Sequence, residues 1–331
     1  MKKPSPNPIQ FPWHVPEAGF SVISEKGERR LIARDDPGRT GLVIAHPLYE
    51  QTALFLKFAR LPVTTTEKPP GFITHTASDE KAIISFANAF GPLGRGILTM
   101  RGKTQVEVPG TMQGLGLIKA EPLSRWAAEV FRMRVLLELW NTLRDDGPGR
   151  DEALAKAIRW NADGVQYVGP LGPQLIADRR MNPETLAAFK PGHLIAPAWR
   201  FLHTAINTEL KKHALRAVLA GQDEARPYLA GQDEARLYLV PESLLGALWY
   251  QFAAAVAHNK HFRQCEQCGR WFEPGRDTRG DAKFCKPPCR MKFYRNKKQQ
   301  ARDLRAKGTP LKEIAKQLNS DIQTVKGWVK K

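Results

Sequence analysis

A chain of 331 residues with 42% hydrophobic and 25% charged side chains has the composition of two or three domains folded around real cores, not of a disordered tail. Its charge is uneven: residues 260–331 carry 20 Lys/Arg against 7 Asp/Glu, a net +13 of the total +18, and the first 259 carry 31 against 26, a net +5. A near-neutral body with a basic end segment is the footprint of a polyanion binder.

No run approaches ~18 consecutive apolar residues, which excludes a spanning helix and any membrane role built on one. The start, MKKPSPNPIQFPWHVPE, follows its two lysines with prolines and not with the apolar stretch of a secretory leader. All four cysteines fall between Cys265 and Cys289. Clustered cysteines without a leader predict a cytoplasmic protein in which thiols bind metal and form no disulfides.

In chain order, residues 1–18 read as a Pro-rich irregular arm. GFSVIS and ERRLIAR flank EKG as two strands about a tight turn, with GLVIAH as a third strand. From Leu48 the pattern turns helical. Ser78-Asp79-Glu80 starts a helix through AIISFANAF, and FGPLG stops it. From Pro122, Trp126, Val130, Met133, Leu137, Trp140 and Leu143 recur at helical steps until DDGPGR. A helix near Ala198 puts Trp199, Leu202, Ile206 and Leu210 on one side, and another after Pro241 carries Leu244, Leu245, Leu248, Phe252 and Val256. At this spacing these stripes are core. LAGQDEARPY at 219–228 is followed at once by LAGQDEARLY at 229–238, a tandem duplication that differs only at Pro227 and Leu237. Two ten-residue copies cannot stack into a solenoid core, so the duplication is expected in a loop and carries no assigned function.

The densest chemistry follows. Cys265-x2-Cys268 and Cys285-x3-Cys289, sixteen residues apart, have the spacing of a four-thiolate tetrahedral zinc site. Gly269 permits the positive φ of a knuckle turn, Trp271 and Phe272 supply an apolar wall, and the x3 pair is expected on the first turn of a helix running through RMKFYRNKK. His258 and His261 lie upstream as competing ligands, but four thiolates are the simpler set. They close the shell, so the expected metal is structural Zn2+, and no catalytic residue is assigned. A His-metal finger nuclease needs histidines inside the finger, and none of the 8 histidines follows His261.

ARDLRAKGTPLKEIAKQLNSDIQTVKGWVKK then reads as a helix-turn-helix. A first helix carries Ala301, Leu304 and Arg305 to Gly308. Thr309 caps the next and Pro310 opens it, with Leu311, Ile314, Ala315 and Leu318 inward. Asn319 takes a left-handed turn, and Ser320 or Asp321 caps a last helix whose Ile322, Val325 and Trp328 face the core. In such a motif the start of the second helix approaches base edges, here Gln323, Thr324 and Lys326, with Lys330 beside them. Arg290, Lys292, Arg295, Lys297, Lys298 and Lys312 are then the phosphate contacts.

WYQFAAAVAHNKHFRQCEQCGRWFEP followed by FCKPPCRMKFYRNKK resembles bacterial proteins with a CGNR-type, treble-clef-like zinc finger behind a helical N-terminal domain. The CGNR tetrapeptide is absent, since Arg290, Met291 and Lys292 follow Cys289, and the helix-turn-helix is extra. The resemblance implies a transcription regulator whose N-terminal body senses a ligand or binds a partner.

The expected architecture is mainly α (α+β): arm 1–18, a helical body with a small β element at 19–258, a four-cysteine zinc finger at 259–298 and a helix-turn-helix at 299–331. The expected partner is double-stranded DNA, with RNA or the ribosome as the alternative. A homodimer would double the bases read, although no heptad seam is evident. An enzyme with its site in the body is the weakest reading, because the sequence has no P-loop, dinucleotide fingerprint or metal-ligand cluster there.

Overall fold

The turn most legible in the sequence, EKG, forms as expected in the computed structural model, which describes residues 13–34, 42–45, 53–68, 72–94, 120–213, 215–220, 236–241, 243–269, 271–274 and 282–329. After β1 (Trp13–Pro16), the apolar runs on either side of EKG become β2 (Phe20–Glu25) and β3 (Glu28–Ala33). Lys26 and Gly27 take φ of 50° and 79°, the mirror-image turn whose twist matches a two-residue hairpin. GLVIAH also forms a strand, β4 (Leu42–Ala45), but it pairs antiparallel with β1 and not with the hairpin. The arm is therefore not irregular at its end: Trp13–Pro16 is extended and paired, a two-stranded edge where proline is tolerated.

α1 (Leu54–Phe58) is short and buries every residue but Lys57. The helical reading fails just after it. VTTTEK and FITHTA form a hairpin, β5 (Val63–Lys68) with β6 (Phe72–Ala77), because β-branched Thr, Val and Ile favour the pleated surface. Asp79 caps α2 (Glu80–Phe90), its Oδ1 accepting from the N–H groups of Lys81 (2.9 Å) and Ala82 (3.3 Å).

β7 (Glu121–Pro122) is the actual third strand on β3, and α3 (Leu123–Arg144) follows, with all six stripe residues buried. Buried Glu121 accepts from the backbone of Leu93 (3.0 Å), the backbone of Gly94 (2.6 Å) and the Trp126 indole (2.9 Å). α4 (Arg150–Ala157) leads into a second unforeseen sheet, β8 (Ile158–Trp160), β9 (Gly164–Tyr167) and β10 (Gln174–Asp178), with β9 central. α5 (Pro183–Ala187) and α6 (Ile195–Lys212) come next. α6 buries Ala198, Phe201, Leu202, Ile206 and Glu209, so its inward face is rotated from the expected one and leaves Trp199 and Leu210 half-buried. Phe201 stacks on Tyr167 at 3.9 Å. Burial there pushes the Tyr167 phenol up to about 12.

β11 (Leu215–Ala220) and β12 (Arg236–Pro241) pair in register, Leu219 opposite Leu237, and α7 (Leu244–Ala257) closes the first unit. Phe252 of α7 packs on Phe55 and Trp140, and the Gln251 carboxamide accepts from the Leu54 N–H at 3.0 Å. The body is thus α+β, with five small antiparallel sheets among the described residues and not one β element at its start.

Both decapeptides begin or end in this last hairpin, and most of their residues lie outside the described ones. Deleting residues 221–230 would keep all six strand pairs and shorten the connection from fifteen residues to GQDEA. Closure entropy then favours the deletion by about 1 kcal/mol. A melting temperature equal to or a few degrees above the parent is expected in a thermal scan, and a large drop would show that the duplication packs against the body.

The chain divides into two compact units, Met1–Val256 and Ala257–Lys331. The second contains β13 (Arg263–Gln264), β14 (Trp271–Phe272), α8 (Pro287–Ala306), α9 (Leu311–Gln317) and α10 (Ile322–Val329). The expected finger boundary at 298/299 falls inside α8, because one uninterrupted helix serves both motifs. Among the described residues no helix is long and apolar enough to cross a membrane.

Candidate metal centre and nucleic-acid interface

The two cysteine pairs are assembled by backbone. β13 and β14 pair antiparallel, Arg263 with Phe272 and Gln264 with Trp271, and close a loop containing Cys265 and Cys268. Gly269 turns that loop at φ 66°, its N–H donating to Cys265 O at 2.9 Å, a conformation a side chain would strain. Glu266 N–H donates to Lys283 O at 3.0 Å and draws the second pair alongside the first. Cys289 sits on the first turn of α8. Cys285 precedes the helix instead of sharing that turn as expected, since Lys286 is the cap and Pro287 and Pro288 take the first positions. Phe284 packs on Phe293 and Tyr294 and ties the pair to α8.

The four Sγ atoms lie within 4.8 Å of one another, Cys268 to Cys285 at 3.7 Å and Cys285 to Cys289 at 3.6 Å. A disulfide needs about 2.05 Å. A tetrahedral metal with bonds of ~2.3 Å to sulfur spaces its ligands by ~3.8 Å, which these separations match. Neither His258 nor His261 belongs to the group. Cys265 and Cys289 are buried, Cys285 is half-buried and Cys268 exposed. Burial acts to raise the Cys265 thiol, but backbone N–H donors from Cys285, Cys268 and Gln267 outweigh it and bring it down to about 6. Burial, and then the thiols of Cys289 and Cys268, push Cys285 up to about 12. The crowded sulfurs resist ionising together, and a cation among them removes that resistance.

α8, α9 and α10 pack on one small core of Ala301, Ile314, Ala315 and Val325, flanked by Leu304, Leu311, Leu318, Trp328 and Val329. The cap of α9 is Pro310 and not Thr309: the N–H groups of Glu313 and Ile314 both reach Pro310 O at 3.0 Å. Asn319 takes φ 44° as expected, and Ser320 N–H closes the turn on Ala315 O at 2.9 Å. Ile322 does not face the core. It is 40% exposed, because capping by Asp321 makes it the first helical residue and leaves the inward positions to Val325 and Trp328.

Gln323 and Lys326 are exposed on α10. Thr324 is exposed but committed, its N–H and hydroxyl donating to the two oxygens of Asp321 at 2.8 and 2.6 Å. Lys330 lies outside the described residues. On α8, Lys292, Arg295 and Lys298 recur at steps of three and form one stripe, whereas Arg290 and Lys297 stand seven apart on another face. Lys297 is engaged, its Nζ donating to Asn319 O at 3.4 Å and lying over the Phe293 ring. Lys312 is exposed on α9. The expected phosphate set therefore does not share one face, and Lys297 serves the turn. Sequence reasoning missed that tie because no spacing signals a bond across 22 residues.

The Thr324 hydroxyl, and then its N–H, hold the Asp321 carboxyl below its ordinary range. A depressed carboxylate stabilises the fold above its unfolded value and loses that contribution as pH falls through the folded one. Asp321→Ala should therefore lower the melting temperature of the three-helix unit at neutral pH, and the difference should begin to close as pH falls below about 4 and vanish only below the depressed folded value. A pH series of thermal melts checks this.

No protein-family model and no curated protein matches this chain.

Proposed function

We propose that the chain is a zinc-stabilised, sequence-specific DNA-binding protein, a transcription regulator, whose second unit docks on duplex DNA. One observation carries this reading: the helix that holds Cys289 is the same helix that packs the three-helix core, so a metal at the cysteines fixes the start of the element supporting α10. Four sulfur donors of one soft type suit Zn2+ and leave no open position, which makes the ion structural. Gln323 and Lys326 meet base edges, and the stripe of Lys292, Arg295 and Lys298 with Lys312 grips phosphates. Four unpaired thiols this close fit a reducing, cytoplasmic setting. The first unit serves as a sensing or partner-binding body, and two copies bind together to read enough bases.

RNA binding is the second reading. Tyr294 (47% exposed) and Met291 (61%) emerge beside the basic stripe, and an exposed aromatic among cations is a stacking platform for unpaired bases. Genome-wide occupancy of the intact protein beside a Gln323→Ala/Lys326→Ala variant separates the two. Discrete sites that the variant loses support sequence-specific duplex binding. No discrete sites, with tighter binding to structured RNA than to duplex at equal salt, support the second reading.

A further inference from the structure

We propose a second metal site, in the first unit, formed by Glu129, Glu209 and His213 and taking a divalent ion of the zinc, iron or manganese class. Glu129 projects from α3. Glu209 and His213 stand four residues apart at the end of α6, where His213 is the C-terminal cap. One ligand atom from each lies within 4.8 Å of the other two. Glu129 Oε2 and His213 Nε2 are shielded from solvent and have no hydrogen-bond partner.

Glu209, only 2% exposed, divides its two oxygens. Oε1 accepts from Arg132 Nη1 at 2.8 Å and Lys212 Nζ at 2.9 Å, and Oε2 stands 3.9 Å from His213 Nε2. That gap is too long for a hydrogen bond. It suits two ligands of one ion, since bonds of ~2.1 Å space neighbouring ligands by ~3.0 to ~4.2 Å. Three potential ligand atoms thus converge, and no other side chain donates to Glu129 Oε2 or His213 Nε2.

The cations beside the group do not compete for those atoms. Arg132 and Lys212 hold the other oxygen of Glu209, as donors around a ligating carboxylate usually do, and fix its orientation. They, and Arg125 nearby, also offset part of the negative charge, so the site is weaker than a bare pair of carboxylates would be. His213 packs closely on α7, where a Cβ on Gly246 would stand 3.2 Å from the His213 Cβ. One imidazole with two carboxylates selects a borderline ion over Ca2+ or Mg2+, and three protein ligands leave coordination positions for water or an incoming ligand.

The test is zinc stoichiometry of the full-length protein after loading with Zn2+ and removal of the excess. Two ions per chain are expected in the parent, one in His213→Gln, one in Glu129→Gln and one in Cys285→Ser. Circular dichroism establishes that both body variants are folded, and a thermal melt establishes that Cys285→Ser keeps the transition of the first unit. A single ion in the parent that Cys285→Ser removes and both body variants retain would overturn the proposal. A single ion that His213→Gln removes and Cys285→Ser retains would support this site and sink the cysteine centre instead.

Discussion

Cys285→Ser, or chelation of the parent, is expected to abolish cooperative folding of residues 257–286 and to leave the first unit intact. The segment has little else to hold it. Its sheet is two residue pairs, and among its described residues the one buried side chain is Cys265 itself. A structural zinc site supplies an apparent ~10 kcal/mol or more, far above what two strand pairs and the two aromatic contacts of Phe284 provide. The three-helix core keeps its own apolar cluster, but a unit of this size is marginal alone, so its melting transition should broaden and shift down. Calorimetry of parent, chelated parent and variant tests this: the transition of the first unit persists unchanged, and that of the second broadens and moves to lower temperature on metal removal. Superimposable traces would contradict it.

The second large effect is on salt dependence. Exposed Lys292, Arg295 and Lys312 and half-buried Lys298 grip phosphates, exposed Lys326 at a base edge also displaces a counterion, and about five cations together give a log–log slope near −4.5. Affinity should then fall roughly 500-fold between about 50 and 200 mM salt. Replacing Lys292, Arg295 and Lys298 with Gln should flatten the slope to about −2 and weaken all duplexes alike, since phosphate contacts carry no sequence information. Lys297→Gln should leave the slope almost unchanged and lower thermal stability, because that amine already serves the turn at Asn319. Fluorescence anisotropy across a salt series measures both.

What was legible in the sequence is what short-range physics decides. The EKG turn, the helix start at Ser78-Asp79-Glu80, each step of the α3 stripe, the spacing within each cysteine pair and the left-handed Asn319 depend on residues within a few positions of one another. What was not legible depends on distant partners. β4 has a strand pattern, but its choice of β1 over β3 is made by the fold, and the two-residue β7 has no pattern at all. The sheet β8–β10 rests on a close approach at Gly164, where any Cβ would collide with the Ala177 carbonyl oxygen, a fact no alternation of apolar residues encodes. The buried Glu121, with three donors from Leu93, Gly94 and Trp126, likewise reads locally as an ordinary surface acid. In the second unit α8 runs on from Cys289 into the three-helix core, a continuity that joins the cysteine cluster to the helix pair and that no local spacing encodes.

The sharpest measurement on the central claim is stepwise blocking of the thiols in the intact protein with a mercurial while released zinc is followed by a coloured indicator. One ion should leave for every four thiols blocked, and the nitrogen–oxygen site proposed in the body, having no thiol, does not contribute. Four thiols blocked with no zinc released would contradict the account.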